Sequence, residues 1–373
     1  MIYLDHNATS PIDPRVLEAM QPYLTNFYGN PSSNHRLGRA SRTAIDTARE
    51  QVAKLVGAES AELVFTSGGT EANNLSLLGV LSDKKQHALY AATEHPSVKD
   101  PLSCLSNSGL DVEMVPVDGC GQISAQQLLT QVKPNTRLIS VMHANNETGV
   151  LQDISSLTRA VQGSDVIFHT DAVQSAGKMP IQFSQMGTQL MTLSSHKLYG
   201  PKGVGAINYD KTVPLQAIQR GGGQEFGLRP GTENLAGIVG FGKAAELALQ
   251  ELEQRATFLL GLRERLERQL LVIAGLSIVG ESADRLVNTT QIVVDGMDGE
   301  MMLMQMDRQG ICISGGSACS SRVLAPSPVL TAMGYAKQQA LSAIRISLGM
   351  QNTEAEVDQF CHALADIIAS YRL

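Results

Sequence analysis

The chain has 373 residues, 43% hydrophobic and 17% charged, a balance that suits a globular protein large enough for two domains. Its formal charge of −7 and isoelectric point near 5.6 argue against electrostatic binding to nucleic acid or to an anionic membrane. No run reaches the roughly 18 apolar residues of a membrane-spanning helix, and the opening Met1–His6 reads as folding sequence with no signal peptide.

Tyr3-Leu4 reads as a short strand that runs into a turn at Asp5–Pro11, and Asn30–Ser33 as a loop. Apolar and small residues recur at helical spacing from Arg39 to Leu55, and Gly57 ends that helix. Strands and helices then alternate. Residues 63–65 form a strand, 68–70 a loop and 71–81 a helix; the next strand, 89–92, ends at Glu94-His95-Pro96. Further strands at 138–142, 166–168 and 190–193 end near Asn145–Gly149, at Asp171 and at Ser194-Ser195-His196-Lys197. This alternation predicts an α/β fold with a mostly parallel sheet and helices on both faces. Thr70, His95, Asn145, Asp171 and Lys197 each follow the carboxyl end of a strand, where open α/β sheets bind ligands, so they define one site.

From Thr232 to about Ala274 the pattern predicts one long helical segment leading to a smaller α/β unit. That unit holds a strand at 291–294, a helix at 300–309 with core-filling Met301, Met302, Met304 and Met306, and a Gly/Ser/Cys loop at 314–321. Large and small units are expected to divide as 13–255 against 1–12 with 256–373.

Each segment admits a chemical and a plain structural reading. Lys197, at a strand end among hydroxyls and an imidazole, suits a Schiff base with a carbonyl cofactor. Thr66–Glu71 joins strand to helix through glycines, a setting for an anion or a simple N-cap. Asp171 can hold a pyridine nitrogen protonated or cap a helix, and His95 can stack on such a ring or move protons. The glycine-rich Gly221–Asn234 is a second possible phosphate contact at Thr232 or a surface loop. In Ala343–Leu348 the alternation places Ile344, Ile346 and Leu348 on one face, and Arg345 and Ser347 on the other. Arg345 there meets either a substrate carboxylate or an internal carboxylate. Cys319 sits among small residues, the setting of an accessible thiol, or is an incidental surface cysteine. The five cysteines have no metal-ligand spacing and are odd in number, which fits free thiols in a reducing cytoplasm.

Taken together, Asn-Asn-Glu-Thr-Gly, His-Thr-Asp-Ala-Val-Gln, Ser-Ser-His-Lys-Leu-Tyr-Gly-Pro-Lys-Gly, Arg-Pro-Gly-Thr-Glu-Asn and Ser-Ala-Cys-Ser-Ser resemble the cysteine desulfurases. These are pyridoxal-phosphate enzymes of the aspartate-aminotransferase fold (fold type I). The likeness spans nearly the whole chain and is to the group with the longer catalytic-cysteine loop. It implies conversion of L-cysteine to L-alanine, with sulfur held on Cys319 as a persulfide and passed to an acceptor protein for iron–sulfur assembly, tRNA thiolation or DNA phosphorothioation. By the same resemblance Lys197 links covalently to pyridoxal 5′-phosphate and shuttles the Cα proton, Asp171 meets the ring nitrogen, His95 stacks on the ring and Gln174 contacts the phenolic oxygen. Gly69, Thr70, Ser194 and His196 belong to the phosphate site, which Thr232 reaches from the second subunit of a homodimer. Asn145 and Arg345 grip the substrate carboxylate, with Asn7 and Asn34 nearby. A selenocysteine lyase or aminotransferase of the same fold, with Cys319 incidental, is the alternative. The chain departs from the family pattern at Phe226, in place of arginine, at Pro328, in place of histidine or an aromatic residue, and at Gly316 before Ser317-Ala318. Altered loop stiffness or acceptor choice is expected from these departures.

Overall fold

The computed structural model describes residues 1–315 and 325–371. Seven strands build the main sheet: β2 (Leu63–Thr66), β3 (His87–Ala91), β4 (Asp111–Val115), β5 (Thr136–Ser140), β6 (Ile167–Asp171), β7 (Leu190–Ser194) and β8 (Gly205–Tyr209). Their order is β2-β8-β7-β6-β5-β3-β4. Only β8 runs antiparallel to its neighbours; the others are parallel, as the alternation predicts. The inner strands are covered on both faces, so that even polar residues such as His169, Thr170 and Thr192 lie buried among apolar ones. All five residues of β6 and of β7 are buried.

The period of two divides each strand between two cores. Leu63 and Phe65, with Leu89, Ile139 and Phe168, pack under helices Arg36–Leu55 and Leu235–Gln250. Val64, Ala88, Leu138 and Ile167 pack on the other face under helices Gly69–Leu78 and Pro96–Asn107. A separate core gathers Leu4, Leu259, Ile292, Met302, Met306, Ile344, Ile346 and Phe360. It lies on an antiparallel sheet ordered β12 (Ser314–Gly315), β13 (Ala343–Ser347), β10 (Thr289–Val294) and β9 (Leu276–Ile278). The short β1 (Ile2–Tyr3) pairs in parallel with β11 (Ile311–Cys312) beside it.

Four sequence expectations need correction. The segment 232–274 is two helices, Leu235–Gln250 and Leu252–Leu270, parted at Glu251. The helix after β2 begins at Gly69 and stops at Leu78, so Gly69 and Thr70 belong to its first turn and not to a loop. The helix predicted from Arg39 starts one turn earlier, at Arg36, and is capped by His35 Nδ1 accepting from the Gly38 amide at 3.3 Å. Met302 and Met306 fill the core as expected, but Met304 is 60% exposed.

Candidate active site

The carboxyl edge of the parallel strands gathers the predicted residues from separate elements. Lys197 ends a single 3₁₀ turn, Ser195–Lys197, directly after β7. Its Nζ donates to the backbone carbonyls of Ala8, at 2.8 Å, and of Asn7. The amino-terminal turn thus holds the lysine at the sheet edge.

Asp171 is the last residue of β6 and is buried. Its Oδ1 accepts from the Val173 amide at 2.9 Å and its Oδ2 from Asn73 Nδ2 at 2.8 Å. The same Asn73 nitrogen donates to Ser97 Oγ, also at 2.8 Å, and Ser97 Oγ lies 2.7 Å from His95 Nδ1. The Ser97 amide donates to that ring nitrogen at 3.1 Å. Nδ1 is therefore an acceptor, and the neutral ring carries its proton on Nε2. Burial lowers the His95 pKa, with Asp171 opposing that shift and Lys197 adding to it. Asn73 thus couples the carboxylate to the imidazole. It was missed in the sequence, where it is one polar residue within a helix.

A cavity of about 400 Å³ opens beside these groups, lined by Thr9, Gly68, Gly69, Thr70, Ser194 and His196 among others. Ser194 Oγ is buried there with no hydrogen-bond partner. The helix that starts at Gly69 supplies free amides at its first turn. Gly205 permits this approach of helix to strand, because a Cβ at that position would lie 2.6 Å from the Gly68 carbonyl carbon. His196 Nδ1 lies 3.1 Å from Thr9 Oγ1, and burial lowers its pKa to about 4, so it is neutral at pH 7. An unpartnered hydroxyl, first-turn amides and Lys202 on the lining make a cradle that fits a phosphate.

The remaining candidates divide. Asn7 is a hub: its amide donates to Ser347 Oγ at 2.9 Å, its Nδ2 to Thr289 Oγ1 at 2.9 Å and to the Asn146 carbonyl at 3.2 Å. Its carbonyl accepts from Gln174 Nε2 at 3.0 Å as well as from Lys197. Lys178, which the sequence reading passed over, donates to Gln174 Oε1 at 3.0 Å and to Asn7 Oδ1 at 3.3 Å. Burial, then the Lys197 and Arg345 charges, lower its pKa to about 7. Asn145 spends its side chain on its own surroundings, donating to the Thr93 carbonyl and accepting from the Glu147 and Thr148 amides.

Arg345 meets an internal carboxylate here. Nη2 donates to Asp5 Oδ1 at 2.7 Å and Nη1 to the Asn146 carbonyl at 2.9 Å, while Nε is buried without a partner. Asn34 and Thr232 are exposed, and neither lines the cavity. Cys319 and Gly316 lie outside the described residues. Pro328 begins the helix Pro328–Ala332, a position that suits its fixed φ and missing N–H. Phe226 is exposed, with a positive φ of 59°, and the Arg49 guanidinium lies over its ring at 5.1 Å. Among the described residues, one group could approach a metal: His87, Asp111 and Glu113, at the opposite end of the strands. The Lys133 ammonium already bridges its two carboxylates.

A lysine, a carboxylate and an imidazole beside a phosphate cradle, at the carboxyl edge of a parallel sheet, define a pyridoxal-phosphate enzyme of fold type I. The chain belongs to the class-V aminotransferase family, whose model matches residues 2–360. Over its whole length it is 41% identical to the cysteine desulfurase IscS of Dictyoglomus turgidum, of which it covers 95%. Its fold is similar to that of a NifS-like protein, with a TM-score of 0.92 and 36% identity over 99% of each chain. It is also similar to SspA, solved in complex with cysteine, with a TM-score of 0.83 and 33% identity over 93% of this chain and 99% of that one.

Proposed function

We propose that this protein is a cysteine desulfurase that converts L-cysteine to L-alanine and loads the sulfur onto Cys319. The observation that carries the reading is the convergence of Lys197, Asp171 and His95 beside the cradle of Ser194 and the Gly69 helix. Pyridoxal phosphate, the cofactor of the family, supplies an electron sink for charge that develops at the substrate Cα. Lys197 is the residue that holds it covalently. Gly69, Thr70, Ser194 and His196 hold its phosphate, with Thr232 contributed across a homodimer interface.

Asp171, fixed by Asn73 and the Val173 amide, presents a carboxylate to the ring nitrogen. His95, with its proton on Nε2, would lie against the ring, and Gln174, fixed by Asn7 and Lys178, would face the phenolic oxygen. Once the substrate amine has displaced it from the cofactor, the Lys197 amine would take the Cα proton. Arg345 receives the substrate carboxylate, with Asn145 and Asn7 shaping that end of the site and Asn34 at its margin.

The Cys319 thiolate attacks the substrate sulfur. The S–S bond forms as the substrate C–S bond breaks, and the electron pair left on carbon takes a proton, so that alanine leaves. An external thiol or a sulfur-acceptor protein removes the outer sulfur by exchange. We assign the large unit to residues 13–255 and the small unit to 1–12 with 256–373, and place the protein in the cytoplasm. Among the described residues no helix is long and apolar enough to cross a membrane.

The test is the release of alanine and sulfide from L-cysteine, with cofactor and a reducing thiol present. Wild type should yield the two in equal amounts and Cys319→Ala neither. Alanine formation that survives Cys319→Ala would replace this reading with a lyase.

A further inference from the structure

Glu147 stands between the carboxylate end of the site and the element that follows the Cys319 segment. It lies in the loop after β5 and is 5% exposed. Ser327 Oγ donates to Glu147 Oε2 at 2.6 Å. Ser327 in turn caps the helix Pro328–Ala332 by accepting from the Leu330 amide at 3.2 Å. Val329 and Leu330 of that helix are buried in one cluster with Val279 and Val293. From β13, Arg345 is the charged group that acts on the same carboxylate. Gln291, the cross-strand partner of Arg345 on β10, also faces it and favours its ionised form.

Arg345 already serves Asp5 through Nη2 and the Asn146 carbonyl through Nη1, while its buried Nε donor has no partner. A substrate carboxylate at that donor adds an anion to a guanidinium that already pairs with Asp5 and whose charge also acts on Glu147. We propose that Glu147 is a positioning residue whose carboxylate competes with that of the substrate for Arg345, so that ionisation of Glu147 and carboxylate binding oppose one another. This rests on the reading of Arg345 as the substrate-carboxylate site.

The direction follows from the surroundings. Burial pushes the Glu147 carboxyl up to about 7, outweighing the Ser327 hydrogen bond and the Arg345 charge, both of which favour the ionised form. Below that pH Glu147 is neutral and the ligand shares the charge of Arg345 with Asp5 alone. Above it, Glu147 is an anion beside the ligand and affinity falls.

The probe is propionate, a carboxylate with neither amine nor thiol, bound to the full chain carrying its cofactor. Calorimetry in two buffers of different ionisation enthalpy reads affinity and proton uptake together. From about pH 6 to about pH 8.5, wild-type affinity should fall about tenfold, with protons taken up on binding near neutrality. Glu147→Gln retains an acceptor for Ser327 but not the charge, so its affinity should be flat with pH and its proton uptake absent. Ser327→Ala removes a bond that favours the ionised carboxylate, so the fall should move to higher pH. The same slope in Glu147→Gln overturns the proposal, as does absence of propionate binding or an affinity unchanged in Arg345→Lys. Propionate binding is read without turnover, so a protein that fails to desulfurate cysteine leaves this test intact.

Discussion

Lys178 illustrates what a single residue can carry unseen. In the sequence it is an ordinary lysine after a glycine, and nothing local sets it apart. Its character comes from burial near Lys197 and Arg345, which are distant in the chain. Lys197 and Asp171 were legible because a reactive type at the end of an apolar run is itself a pattern. Asn73, Glu147 and Lys178 were not, because each acts through partners that only the fold supplies. A lysine whose pKa falls to about 7 on folding binds fewer protons in the native state than in the unfolded chain, between pH 7 and the unfolded value of about 10.4. Over that window its contribution makes stability rise with pH. Urea midpoints measured at about pH 7 and about pH 9.5 should show wild type gaining on Lys178→Met as pH rises. Parallel pH dependence in the two proteins would refute the assignment.

At the scale of elements, the strands expected from apolar runs were placed to within two residues at most ends, whereas β4, β8 and β9 carried no such signal and were not foreseen. The helix boundaries were less well placed. The break at Glu251 has no glycine or proline to mark it, the start at Arg36 is set by an unusual histidine cap, and the start at Gly69 has no side-chain cap at all. The glycine-rich stretch before Leu235 was also opaque, because its anchor is a buried ion pair with the helix Arg36–Leu55. Arg49 grips both oxygens of Glu225 at 2.7 Å, and Glu225 also accepts from the Phe65 amide at 2.7 Å. Phe226 follows this anchor directly, which gives the departure at that position a place in the fold. Arg49→Met should cost about 3–5 kcal/mol, since it leaves Glu225 buried without its counter-charge. Urea unfolding monitored by far-ultraviolet dichroism gives the value. A loss below about 1 kcal/mol would mean that Glu225 finds water or another partner.

For the whole molecule, the amino-terminal turn joins the two cores. Asn7 reaches Thr289 and Ser347 on the small sheet, Asn146 and Gln174 in the connections after β5 and β6, and Lys197 in the site. Asn7→Ala should lower stability by about 3 kcal/mol or more, because Asn288, Thr289 and Lys178 lose an acceptor or donor away from water. It should also weaken cofactor retention, read from absorbance after gel filtration. Full retention would show that Lys197 is held well enough without the side chain of Asn7. Such long reach bears on biosynthesis. Arg345 and Ser347 leave the ribosome 340 positions after Asp5 and Asn7, their respective partners. The sheet of 63–209 can fold during translation, but nascent chains stalled before Ala343 should lack the carboxylate end of the site. Cofactor capture in its final form then awaits synthesis and docking of β13.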